Sequence, residues 1–111
     1  MITIEKLALF GADVEQGLSR CMGNEEFYLR LVSSIPEETS FDRLQSGLEK
    51  GDLVSAFEAA HALKGVLGNL ALTPLYQQIS EITELLRNRT EMDYSELLDN
   101  LLKKKEELGQ L

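Results

Sequence analysis

The sequence is poor in most of the residues that carry catalytic or cross-linking chemistry. It has one cysteine, Cys21, so no internal disulfide can form and a reducing cytoplasm is the expected location. Cys21 falls in a helical pattern and reads as packing rather than chemistry. It has one histidine, His61, so a metal site has no second imidazole to build on, and neither metal nor cofactor is expected. Basic residues are outnumbered, 11 Lys and Arg against 19 Asp and Glu, and the resulting net charge of -8 argues against nucleic acid or an anionic membrane as partner. The lysines Lys103–Lys105 run straight into Glu106 and Glu107 and read as a solvated helix face. No apolar run approaches the roughly 20 residues of a membrane span. The N-terminus, MITIEKLALFGADVE, has neither the basic start nor the small-residue cleavage site of a signal peptide. Strand alternation, repeats and low-complexity tracts are missing as well.

What is present is helical periodicity with clear punctuation. A chain of 111 residues is expected to form one domain, 1–111. Thr3 caps a short helix that stops at Gly11, and Asp13 with Gln16 forms a capping box for another that ends near Gly23. Asn24 starts a longer one with Tyr28, Leu31, Val32 and Ile35 on one face, broken at Pro36. Helix resumes from Ser40, with Phe41, Leu44 and Leu48 inward, and ends at Gly51. Asp52 caps the next, to about Leu70. Thr73-Pro74 reads as a cap followed by proline at the first helical position, before an apolar stripe of Leu75, Ile79, Ile82 and Leu86. Asp93 with Glu96 repeats the capping box, opening a last helix to about Leu108. Short connections predict an all-α, antiparallel up-down four-helix bundle preceded by short N-terminal helices.

The stretch AHALKGVLGNL, Ala60 to Leu70, concentrates the unusual features. On its helix, Leu53, Ala56, Ala60, Leu63, Leu67 and Leu70 fall within about a 100° sector, the core face. His61 lies outside that sector, with Lys64, Gly65 and Gly68 around it at i+3, i+4 and i+7. Each glycine costs a helix about 1 kcal/mol relative to alanine, so both are expected to clear space around an exposed imidazole. From Ala59 through Ser80 the only formal charge is Lys64, a surface suited to being covered by another protein.

Hydrolysis of the Ser-His-Asp or Cys-His kind is unsupported, because the motif contains no serine and Cys21 is far off in sequence. A neutral imidazole is itself a competent nucleophile, and phosphoryl transfer needs chiefly positioning and charge stabilisation, which a partner's active site and Lys64 could supply. The competing reading is an ordinary surface histidine beside a solvated lysine.

HALKGVLGNLALTPL resembles the signature of histidine-containing phosphotransfer (HPt) domains, in which His-x-Leu-Lys-Gly precedes small residues and a Leu-Gly step. The similarity extends over nearly the whole chain, including the turn Lys50-Gly51-Asp52 before the histidine helix. It implies a phosphorelay intermediate of two-component signal transduction. His61 would take a phosphoryl group from the aspartate of a receiver domain, in a response regulator or hybrid sensor kinase, and pass it to another. By the same resemblance Lys64 would stabilise the phosphate, Gly65 would admit the receiver and Gly68 would extend the gap. The protein would be a phosphohistidine carrier, monomeric and without cofactor. Val66, Leu67 and Ala71 depart from the family pattern, Ala71 standing where glycine is usual. Gln77 or Gln78 is placed to approach the histidine from the next helix, or to be solvated. The dimerising hairpin of sensor kinases normally has an acidic residue after its histidine. Here Ala62 follows, and glycine-rich nucleotide-binding segments are missing, so no autokinase activity is expected. The initiating Met1 and self-contained helices suggest a free-standing protein. The alternative function is a non-catalytic helical module that binds a receiver or another protein without carrying phosphate.

Overall fold

The computed structural model describes residues 1–111 throughout and contains seven α-helices. They are α1 (Ile4–Phe10), α2 (Val14–Arg20), α3 (Glu25–Ser34), α4 (Thr39–Lys50), α5 (Leu53–Asn69), α6 (Thr73–Arg87) and α7 (Ser95–Gly109). A 3₁₀ turn at Ile35–Glu37 separates α3 from α4, where Pro36 denies the helix a backbone donor. The four longest, α4 to α7, form the up-down bundle; α3 is a third short element ahead of it, beside α1 and α2.

Four helices begin as their side chains dictate. Thr3, Asp13, Asn24 and Asp52 each accept a hydrogen bond from the backbone N–H three residues on. The expected box at Asp13 is only half made, because the Asp13 N–H donates to the Ala71 carbonyl in place of the Gln16 side chain. Three starts differ from expectation. Helix α4 begins at Thr39, with the Glu38 carboxylate accepting from the Ser40 N–H. Thr73 is already inside α6, behind Leu72, and its hydroxyl donates to the Ala71 carbonyl at 3.5 Å. Asp93 accepts from the Ser95 N–H, two residues on, in place of the expected capping box with Glu96.

The helix ends follow one device. In α1, α2, α4, α5 and α6 two consecutive residues just after the helix donate back to carbonyls of the last turn in nested pairs, as Ala71 N–H to Gly68 O (3.1 Å) and Leu72 N–H to Leu67 O (3.0 Å). This closure needs a left-handed residue. Gly11 and Gly51 supply it in α1 and α4, but Met22 (φ 58°), Ala71 (φ 55°) and Arg89 (φ 54°) do so in α2, α5 and α6. Ala71 therefore adopts the backbone that the usual glycine would, and the α5–α6 turn keeps its shape.

One core of 23 buried hydrophobic residues draws on every helical segment but α2, whose Val14 and Leu18 pack half-buried against it, and runs from Leu7 and Phe10 through Tyr28 and Phe41 to Leu108. Helix α5 runs through its centre with Ala56, Ala60, Leu63 and Leu67 buried. Full burial of Leu63 and Leu67 contributes about 1.5–3 kcal/mol each, which outweighs the roughly 1 kcal/mol cost of each helical glycine. The departure at Leu67 is thus a core side chain. No helix is long and apolar enough to cross a membrane.

Candidate functional site

The outward side of α5 forms the floor of a groove of about 620 Å³, lined by His61, Lys64, Gly65 and Gly68. Tyr76 and Arg87 from α6 form one wall; Gln16 and Arg20 from α2 stand at the end nearest the α5–α6 turn. His61 is exposed, and its ring stacks on Phe57 one turn earlier, with centroids 5.8 Å apart and planes inclined by 23°. That contact orients the imidazole without burying it. Arg87 also packs on this aromatic ring, its guanidinium 5.2 Å from the Phe57 ring centroid.

Lys64 is half-buried and lies 3.9 Å from the Glu84 carboxylate, which also takes Arg87 Nε at 3.3 Å. A partly exposed pair at this long separation is worth no more than about 1 kcal/mol. A phosphoryl dianion on the neighbouring imidazole can therefore draw the Lys64 ammonium away from Glu84 at small cost. The two glycines are not equivalent. A Cβ built on Gly65 meets nothing within 4 Å, so this position is open space beside the imidazole. A Cβ on Gly68 would come within 2.8 Å of Tyr76 Cε1, so Gly68 is the seat of the tyrosine ring as well as part of the groove floor. The expectation that both glycines only clear space holds for Gly65. At Gly68 the cause is the close approach of α6.

Contacts from α2 and α3 fix the end of α5. Tyr28 donates its hydroxyl to the Leu70 carbonyl at 2.8 Å, in a space that exists because Gly17 has no side chain. Burial, reinforced by Cys21 and Asp13, pushes the Tyr28 phenol up to about 12, so it remains a donor at any physiological pH. At the other end, the Ser55 backbone N–H and then its hydroxyl hold the Asp52 carboxyl below the usual carboxylate range, keeping the cap charged. Arg20 donates to the Gly68 carbonyl.

Phe57, Glu84, Arg87 and Arg20 were not singled out in the sequence. Phe57 was within reach of a face count, four residues before His61. The other three come from α6 and α2, and only the packing of those helices against α5 brings them here. Gln78 points elsewhere, donating to the Asn100 carbonyl of α7, and Gln77 does not line the groove. No group of three or more His, Cys, Asp or Glu side chains converges anywhere in the chain. The groove offers one nucleophile and three cations, an arrangement that can accept and hold an anion.

A family model described as Hpt domain matches residues 31–111. No curated protein and no solved structure matched the chain.

Proposed function

Because the chain belongs to the Hpt domain family, whose members work in two-component phosphorelays and interact with receiver domains, we propose that it relays phosphoryl groups between receivers through His61. In the forward step a lone pair of the neutral imidazole forms the P–N bond as the acyl-phosphate P–O bond of the receiver breaks. The electron pair returns to the receiver's carboxylate, and the second ring nitrogen keeps its proton. Lys64 lies one turn away to meet the dianion, and Gly65 leaves the approach free. The reverse step loads the next receiver. The observation that carries this reading is the exposed His61 beside a glycine with open space above it.

Residues 1–111 act on this reading as one domain, since Leu7, Phe10 and Tyr28 share a core with α4 to α7. It works as a cytoplasmic monomer. The Val66, Leu67 and Ala71 departures do not favour a phosphate-free module, because Leu67 is core, Val66 packs half-buried against that core and Ala71 takes the glycine conformation. The test is a label chase. A receiver carrying ³²P-aspartyl phosphate is mixed with the protein, and a second, unlabelled receiver is then added. Label should pass through the protein to the second receiver; binding of the first receiver without transfer would leave the module reading in place of this one.

A further inference from the structure

Residues 1–30 lie outside the region matched by the family model, yet they are tied to the histidine groove at four points. Asp13 N–H donates to the Ala71 carbonyl at 2.9 Å, Tyr28 donates to Leu70, Arg20 donates to Gly68, and Gly11 packs against Pro74. All four converge on the α5–α6 turn. Helix α2 is thereby held at the groove's end, where Arg20 stands about 10 Å along α5 from His61, seven residues at 1.5 Å each.

Arg20 differs from the other two groove cations. Lys64 and Arg87 share the Glu84 carboxylate, whereas Arg20 has no carboxylate within 4.0 Å. One of its five N–H groups is used on a helix-terminal carbonyl, which fixes the guanidinium and leaves the rest exposed to solvent. The groove lining holds three cations and no Asp or Glu, in a chain of net charge -8, so this rim suits an anionic group on a partner.

We propose that Arg20 is a partner-contact residue: it grips an acidic side chain on the receiver docked over His61, and α2 thereby selects which receivers are accepted. The planar guanidinium suits bidentate capture of a carboxylate. The inference rests on the phosphorelay reading of His61, and its test separates the two.

The probe is the aspartyl-phosphorylated receiver domain that transfers fastest to the native protein in a panel of receivers. Arg20→Gln keeps a donor for the Gly68 carbonyl but removes the charge. It should raise the half-saturating receiver concentration about tenfold, with the maximal transfer rate within about twofold, and should flatten the salt dependence of transfer. Arg20→Lys should recover part of the loss, and Lys103→Gln, which removes an exposed charge on α7, should change nothing. An unchanged half-saturation in Arg20→Gln would overturn the inference alone. So would a fall in both maximal rate and melting temperature, which marks Arg20 as structural. If the native protein accepts phosphate neither from the panel nor from phosphoramidate, the phosphorelay reading itself fails.

Discussion

Replacing Gly65 should make the protein more stable and less active. Gly65→Ala removes a helix-interior glycine where the new methyl meets nothing within 4 Å, so the full propensity gain of about 1 kcal/mol is available. Gly65→Leu should keep most of that gain, because leucine is nearly as good a helix former and the position is exposed. For a chain of this size a gain of 1 kcal/mol raises Tm by about 4 °C. Activity should move the other way. A leucine one turn from the imidazole fills the approach to it, and misplacement by about 1 Å can cost a hundredfold in rate. Gly68 supplies the internal contrast. Its alanine variant gains the same propensity but must displace the Tyr76 ring from 2.8 Å, an overpacking cost of about 1–3 kcal/mol that cancels or exceeds the gain. Thermal melts and receiver-to-protein transfer rates on the same preparations decide the matter. A Gly65→Leu variant that melts below the native protein, or transfers at the native rate, would refute the docking-gap reasoning.

Three further outcomes are expected. Of the three tyrosines, Tyr28 should titrate near 12 in an ultraviolet phenolate titration; its neutral form is favoured by folding, so its contribution is intact below about pH 10 and lost as pH rises toward 12. Stability that instead rises over that alkaline range would contradict its buried bond to Leu70. Arg89→Gly, at an exposed left-handed position, should stabilise by about 0.5–1 kcal/mol in a chemical denaturation series, where a loss would mean that the φ of 54° is not strained. Incubation with radiolabelled ATP and Mg²⁺ alone should leave the chain unlabelled, and stoichiometric self-labelling would reveal a kinase.

The sequence was most legible where local chemistry decides. Thr3, Asp13, Asn24 and Asp52 bond the N–H that spacing assigns them, and Gly11 and Gly51 end helices through their left-handed backbone. The left-handed ends at Met22, Ala71 and Arg89 carry no residue signal of their own, since none is glycine and each takes that backbone at a conformational cost that glycine would avoid. Face arithmetic on α5 alone sufficed to bring His61, Lys64 and Gly65 together outside the core. It failed at Gly68, whose neighbour Tyr76 belongs to another helix. It also missed Glu84 and Arg87, which lie on α6 and reach Lys64 and Phe57 only through the packing of that helix against α5. Arg20 was beyond any such count, because its place depends on how α2 docks on the α5–α6 turn.

The most direct test of the central claim is intact-mass measurement of the native protein and of His61→Gln after exposure to a receiver carrying aspartyl phosphate. The native chain should gain the mass of one phosphoryl group, lost in acid and retained in alkali, while His61→Gln, equally folded by circular dichroism, should gain none. A phosphoryl adduct of the same stability on the His61→Gln chain would contradict the account.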